Sequence, residues 1–294
     1  MKVSILIVSK NRKEDLFKTL RVLESLIDKF QVEILVFLDG CADDTSVLQD
    51  QFNWVKWFSS EKSIGASAAR HQLYPKAKGQ FLIGFDDDAH PLQSDFITRT
   101  LSVFERYPIV GIVAFQEIKG VFGSDQEALS QVNSIAEEYF TNEFIGCGFA
   151  IRKEAYQDTN GFPVWIDIYG EESCVSIEVL AAGYDIIYTN TIQVNHRVNL
   201  IERKKAGQNY FRFGKQLKNS TYYFLVYYPY PLGNILKLFW HNFNKYALRD
   251  INCFKIFFSV SVEVLRSMPR ILTYRKPVTA LVLDKMRKVK GMQF

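Results

Sequence analysis

Phe81-Leu82-Ile83-Gly84-Phe85-Asp86-Asp87-Asp88 is an apolar run that ends abruptly in three carboxylates. A short unbroken apolar run reads as a strand buried on both faces, as parallel sheets require. The acids then mark its carboxyl end. Three adjacent carboxylates repel one another and gain nothing from a core, so something positive should compensate them. A hard divalent cation bound by carboxylate oxygens, Mn²⁺ or Mg²⁺, is the simplest candidate. The competing reading is a solvated acidic turn, with Ser94 or Asp95 capping the next helix.

Similar runs lie at 3–8 and 32–39, and between them 13–30 carries Leu16, Leu20, Leu23, Leu26 and Ile27 at helical spacing. Residues 54–58 and 80–85 read as two further strands around an Ala-rich helix at 66–73, and 109–115 and 145–151 as later strands. Strand-helix alternation predicts an α/β, doubly wound, mainly parallel sheet. Ligands of such sheets bind outside the carboxyl ends of the strands.

The whole chain has 294 residues, 48% hydrophobic and 23% charged, which excludes disordered, collagen-like and coiled-coil classes. Cys41, Cys147, Cys174 and Cys253 show no CxxC spacing, which argues against a zinc knuckle or a disulfide scaffold and suits a reducing compartment. The N-terminal apolar run is too short for a signal peptide, so a cytoplasmic address is expected. The net charge of +4 hides a division. Residues 1–196 hold 17 Lys and Arg against 28 Asp and Glu, a net −11; residues 197–294 hold 19 against 4, a net +15. The expected organisation is a catalytic domain over 1–200, with halves at 1–92 and 93–200, and a basic, aromatic, mostly helical region over 201–294.

That second region has an uncharged stretch at 219–236, broken by Pro229, Pro231 and Gly233, which does not suit a membrane-spanning helix. The segments 234–248 and 252–265 mix Phe, Ile, Leu and Trp240 with Lys237, Lys245, Lys255 and Arg266. Basic aromatic amphipathic helices of this kind lie in the headgroup region of a bilayer. The plainer alternative is a helical cap whose apolar face packs on the sheet domain.

Other polar clusters end strands or open helices. Asp39-Gly40 closes the second strand, and Asp43 or Asp44 suits a helix cap. Gly65 to Arg70 opens a helix with small residues that allow close backbone approach. Gly146-Cys147-Gly148 is a small-residue strand with room for a sugar. Gly170-Glu171-Glu172 places two acids at a helix N-terminus, which the macrodipole favours in any case; a general base is the functional reading. His196 follows Val194 at a strand end, where a ligand role competes with a structural one.

In this order, Ser9-x-Asn11-Arg12, Asp39-Gly40, Gly65-x-x-x-Ala69-Arg70, Asp86-Asp87-Asp88, Gly146-Cys147-Gly148, Gly170-Glu171-Glu172 and Val194-x-His196 resemble a family 2 glycosyltransferase of the GT-A fold, over residues 3 to about 200. The resemblance implies an inverting, metal-dependent transfer of a sugar from a nucleotide-diphosphate sugar, with UDP- or dTDP-sugars favoured, to a glycan or lipid-linked acceptor. It places Ser9, Asn11, Arg12, Asp39, Arg70, Asp86 and Asp87 at the nucleotide, Asp88 and His196 at the metal, and Glu172 with Glu171 at the catalytic base. Gly146, Cys147, Gly148 and Trp165 are assigned to sugar or acceptor contacts. Two features depart from the family pattern: Glu171-Glu172 where an acidic pair ending in Asp is usual, and Lys10 where Tyr often stands. Together with the basic tail, the resemblance suggests cell-surface polysaccharide synthesis at the inner face of a bacterial membrane, without nucleic acid. A nucleotidyltransferase would carry a Gly-rich loop after strand one, and Ser9-Lys10-Asn11-Arg12 has no glycine. A non-enzymatic anionic-ligand binding module would leave the strand-end acids unexplained.

Overall fold

The computed structural model describes residues 2–132, 135–199, 205 and 208–292. The expected domain boundary at 200/201 lies outside the described residues. Strands β1 (Val3–Ser9), β2 (Val32–Asp39), β3 (Lys56–Ser60), β4 (Phe81–Asp86), β5 (Ala89–Pro91), β6 (Val110–Lys119), β7 (Glu138–Thr141), β8 (Gly148–Arg152) and β9 (Asp185–His196) form one sheet. Its order is β3-β2-β1-β4-β8-β6-β9-β5, with β7 also on β9. β3, β2, β1 and β4 are parallel, β8 reverses between β4 and β6, and β6 and β9 are again parallel. β5 and β7 pair antiparallel with β9. Six strands therefore share one direction, as the alternating pattern predicts.

Helices α1 (Lys13–Leu26), α2 (Leu48–Gln51), α3 (Ala66–Leu73), α4 (Phe96–Arg106), α5 (Asp125–Leu129), α6 (Lys153–Gln157) and α7 (Glu171–Ala181) accompany the sheet. Alternate residues of β1 point to opposite faces. Ile5 and Ile7 meet Leu16, Leu20 and Leu23 of α1, with Phe96 and Val103 of α4 in the same cluster. Leu6 joins Leu73 of α3 and Val175 and Val179 of α7 on the other face. That double burial is why the strand shows no polar alternation.

Several boundaries move. The strand expected at 145–151 starts only at Gly148, because Gly146 and Cys147 form a turn. The one at 54–58 starts at Lys56. β9 begins at Asp185, well before the strand end that Val194 and His196 mark, and the short β5 and β7 give no periodic signal.

The basic region folds into α8 (Gln208–Tyr227), α9 (Leu232–Asn242), α10 (Ile251–Leu272) and α11 (Ala280–Lys288). Pro229 and Pro231 separate α8 from α9, and the Asp250 side chain caps α10 by accepting from the Asn252 and Cys253 amides at 2.8 and 2.9 Å. Phe213, Leu217 and Val226 of α8 interlock with Phe257, Val260 and Val264 of α10, against Cys174 and Ile177 of α7. The helices thus form a cap on the sheet domain. Among the described residues, no helix is long and apolar enough to cross a membrane.

The cap is also tied by polar contacts. Glu178 of α7 accepts from Tyr227 Oη at 2.7 Å, the Asn160 amide at 2.8 Å and Lys276 Nζ at 3.1 Å. Glu178→Ala leaves the buried Tyr227 hydroxyl without an acceptor, so urea unfolding should show a loss of about 2–3 kcal/mol. Tyr227→Phe, which removes one hydrogen bond, should cost about 1 kcal/mol.

Candidate active site

The carboxyl ends of β1 and β4 are neighbours, with Val8 opposite Asp86. The three aspartates are divided between two arginines, Arg70 for Asp86 and Arg12 for Asp87 and Asp88. Asp86 binds Arg70 Nη2 at 2.6 Å. Asp87 turns toward β1 and α1, where it accepts from Ser9 Oγ at 2.7 Å and pairs with Arg12 Nη1 at 3.0 Å. Asp88 pairs with Arg12 Nη2 at 2.7 Å and His196 Nε2 at 3.2 Å. The positive charge expected beside the triplet is therefore supplied within the chain.

The protonation states follow. Burial pushes Asp87 up to about 7 despite Arg12. Burial would raise Asp88 as well, but the His196 hydrogen bond and the nearby charges hold it well below the usual carboxylate range. Burial would lower His196; hydrogen bonds to Asp88, Cys147 and Glu117 overcome this and raise it to about 12.

Asp86, Asp88 and His196 offer ligand atoms within 4.8 Å of one another. Two carboxylates and an imidazole suit Mn²⁺ or Mg²⁺ that shares its remaining positions with phosphate and water. The donor set thus fits a divalent cation. Asp87 points away from this group.

At the carboxyl ends of β1 and β2, Asn11 adopts φ 53°, a conformation Asn tolerates better than most residues, and its Oδ1 accepts from the Ala42 amide at 2.7 Å. Asp39 is buried and accepts from Ser63 Oγ (2.7 Å) and the Ile64 and Gly65 amides (2.6 and 3.1 Å). It fixes the turn that enters α3, where Gly65 has φ 89°. Lys10 is exposed. Asp43 caps the turn over residues 44–47 through the Thr45 amide.

Arg70, 6% exposed, reaches from Asp86 to the second acidic group. Its Nη1 lies 3.2 Å from Glu171 and 3.5 Å from Glu172. Two successive residues with positive φ, Tyr169 (68°) and Gly170 (104°), turn the chain into α7 and present this pair. Asn219 of α8 holds the turn by donating to the Ile168 and Tyr169 carbonyls at 2.8 and 2.9 Å. Glu171 is buried; Glu172 is more open. Burial raises both carboxyls, Glu171 well above its ordinary value with Glu172's charge adding to the effect. Glu172, with its side chain 22% exposed against 4% for Glu171, is the carboxylate of the pair that a bound molecule can reach.

Gly146 lies directly against Glu172 and Arg70, whereas Gly148 packs on Val194. Cys147 is buried near His196, and burial pushes its thiol up to about 12. Trp165 lies outside the carboxylate cluster, in a cleft of about 250 Å³ between the 164–167 loop and α8 and α10, with Lys218, Tyr222 and Arg270 in its wall.

Two residues escaped the sequence reading. Arg197 donates to the Asp15 and Asp87 carbonyls and to Thr19 Oγ1, bracing the backbone beneath the triplet. Glu117 binds His196 Nδ1. A lone acid within a strand and an Arg beside a noted His carry no spacing signal; only the β6–β9 pairing brings Glu117 into view.

Strand-end acids beside a histidine on a mainly parallel sheet, with a separate carboxylate pair at a helix start, are the arrangement expected of a GT-A fold. The family described as Glycosyl transferase family 2 matches residues 4–159, and the chain belongs to that family as a glycosyltransferase. A Haemophilus influenzae protein described as uncharacterized is 27% identical, over 55% of this chain and 92% of its own. Three solved structures share the fold at low identity. The mannosyltransferase PcManGT from Pyrobaculum calidifontis, in complex with GDP-Man and Mn²⁺, has a TM-score of 0.60 at 13% identity, covering 97% of this chain and 83% of that one. S. aureus TarS 1-349 gives 0.55 at 13%, covering 67% and 60%. GalNAc-T7 with UDP, GalNAc and Mn²⁺ gives 0.56 at 18%, covering 68% and 43%. The chain thus spans less than two thirds of the latter two.

A Cβ on Gly146 would lie 2.4 Å from Glu172 Oε1 and 2.9 Å from Arg70 Nη2. Gly146→Ala should displace the mobile end of Glu172 rather than the backbone. The expected result is a fall in turnover of about tenfold or more, since slight misplacement of a catalytic group is costly, with an unchanged melting temperature.

Proposed function

We propose that the chain is an inverting glycosyltransferase that uses a nucleoside-diphosphate sugar and a hydroxyl acceptor. The observation that carries this reading is Arg70, which joins Asp86 on the phosphate side to Glu171 and Glu172 on the other. Ser9, Asn11, Arg12 and the Asp39-held turn flank the nucleoside, and Arg70 faces the diphosphate. Asp86, Asp88 and His196 would hold a divalent cation, which neutralises charge on the leaving diphosphate. Glu172 takes the acceptor hydroxyl proton while the oxygen bonds to the anomeric carbon. The carbon–oxygen bond to the diphosphate breaks with its electron pair, so one displacement inverts that carbon. Arg70 keeps Glu172 in place, and Glu171 crowds it without competing for the acceptor. The cleft beside Trp165 suits an acceptor sugar. The bound nucleotides and Mn²⁺ of PcManGT and GalNAc-T7 support the donor class.

Calorimetry with UDP, dTDP and GDP, each with and without Mn²⁺, tests the donor site. One nucleotide should bind in a metal-dependent way, and Asp88→Ala should lose that dependence. Glu172→Gln should retain donor binding while transfer falls about 10²-fold or more; unchanged turnover would remove Glu172 as the base. The wild-type rate should rise with pH through an apparent pKa above the ordinary 4.5 of a glutamate, because burial raises Glu172. A limb at or below 4.5 would contradict the assignment.

The proposed setting is a membrane surface in bacterial polysaccharide synthesis, with a glycan or lipid-linked acceptor. α9 exposes Leu232, Leu236 and Trp240 at intervals of four, and α10 exposes Phe258 and Leu265 beside Lys255 and Arg266. α10 buries its other apolar stripe in the cap, and α9 partly covers Ile235, Leu238 and Phe239 against it. The outward stripes plus +15 of charge suit an anionic bilayer. Wild type should sediment with vesicles containing phosphatidylglycerol, less so at high salt, and Leu236→Glu/Trp240→Glu should weaken this at least tenfold. Retention by the double variant would count against the surface.

A further inference from the structure

We propose that Glu117 is a positioning residue of the cation site: it fixes the ring of His196 so that Nε2 faces Asp88 and Asp86. This rests on the donor-site reading above and adds a residue that no motif marks. The support begins with the backbone. In the parallel β6–β9 pair, Glu117 lies opposite Val194 and Lys119 opposite His196. Glu117 and His196 are thus diagonal neighbours on one face of the sheet.

That shared face depends on an irregularity. Phe115 pairs with Thr189 but Gln116 pairs with Gln193, so β9 advances four residues where β6 advances one. The excess of three is odd. With unbroken pairing from Phe115, Lys119 would oppose Gln193 and the side chain of His196 would project from the opposite face. The bulge re-aims the imidazole, a recurrent use of such irregularities near functional sites.

The contacts agree with the backbone. Glu117 Oε1 lies 2.5 Å from His196 Nδ1, and Oε2 lies 3.0 Å from Lys119 Nζ. Because an ionised carboxylate only accepts, Nδ1 must donate its proton to it. The carboxylate is buried, and Lys119 keeps its other oxygen occupied. With Nδ1 committed, Nε2 is the nitrogen left for coordination; it points to Asp88 Oδ1 at 3.2 Å and would release its proton to solvent as a cation binds. A carboxylate on the far nitrogen of a ligating histidine fixes its tautomer and raises its basicity; losing such a partner commonly costs 10–100-fold in metal affinity.

The test is Mn²⁺ binding to the full chain, followed by the electron paramagnetic resonance signal of the free ion, alone and with UDP or GDP. Glu117→Ala should bind Mn²⁺ about 10–100-fold more weakly, with metal-free nucleotide affinity and melting temperature close to wild type. Glu117→Gln, which keeps an acceptor oxygen in place, should recover at least half of that loss on a logarithmic scale. Undiminished Mn²⁺ affinity in Glu117→Ala would overturn the role of Glu117 alone. So would a loss matched by equal loss of metal-free nucleotide binding and a lowered melting temperature in both variants, since that pattern marks general damage. Absence of Mn²⁺ binding to wild type under every condition would overturn the cation site itself, and Glu117 with it.

Discussion

Carboxylates taken out of water must be given positive partners, and the site is organised around that requirement. An uncompensated buried charge costs several kcal/mol. Arg70, itself buried, serves Asp86, Glu171 and Glu172 together. Arg12 serves Asp87 and Asp88, and His196 completes Asp88. Each cation comes from a different place: the β1–α1 turn, α3 and the end of β9. The acids can be held together only if those elements are in register, so the electrostatics of the site and the topology of the sheet constrain one another. A cation entering between Asp86 and Asp88 would exchange with existing partners rather than fill a charge vacuum.

The C-terminal helices take part in this arrangement. α8 supplies core residues, and through Asn219 it also satisfies two carbonyls of the turn that starts α7. Tyr169 and Gly170 sit there in left-handed conformations that other residues adopt at a cost. The cap is therefore part of how Glu171 and Glu172 are presented. Its outer surface is a separate matter: α9 and α10 both expose apolar residues, while the inner stripe of α10 is buried and that of α9 is partly covered.

What was legible in the sequence was what repeats locally. The runs at 3–8, 32–39 and 80–85 announced strands because both of their faces are buried, and 66–73 announced α3 through small residues at helical spacing. Strand ends then pointed to Asp39, Asp88 and His196. What was not legible depends on pairing between distant segments. Arg12 could be seen next to Asn11, but not that it spans two aspartates 75 and 76 positions away. β8 begins two residues past Gly146, so a strand pattern concealed the turn that packs on Glu172. Glu117 is visible only after the β6–β9 register is known, since an odd slip decides which face His196 occupies. A tail helix can serve as cap and surface together: α10 buries Phe257, Val260 and Val264 and still exposes Phe258 and Leu265.

The unequal charges of the two regions make the molecule an electric dipole. Residues 1–196 carry −11 and residues 197–294 carry +15. Near a negatively charged plane such a body experiences a torque as well as a net attraction, with the basic helices drawn in and the acidic module pushed away. The field acts within about a Debye length, ~8 Å at physiological salt, so it orients the molecule during the last approach. The apolar stripes of α9 and α10 would then arrive first, before any specific contact had formed.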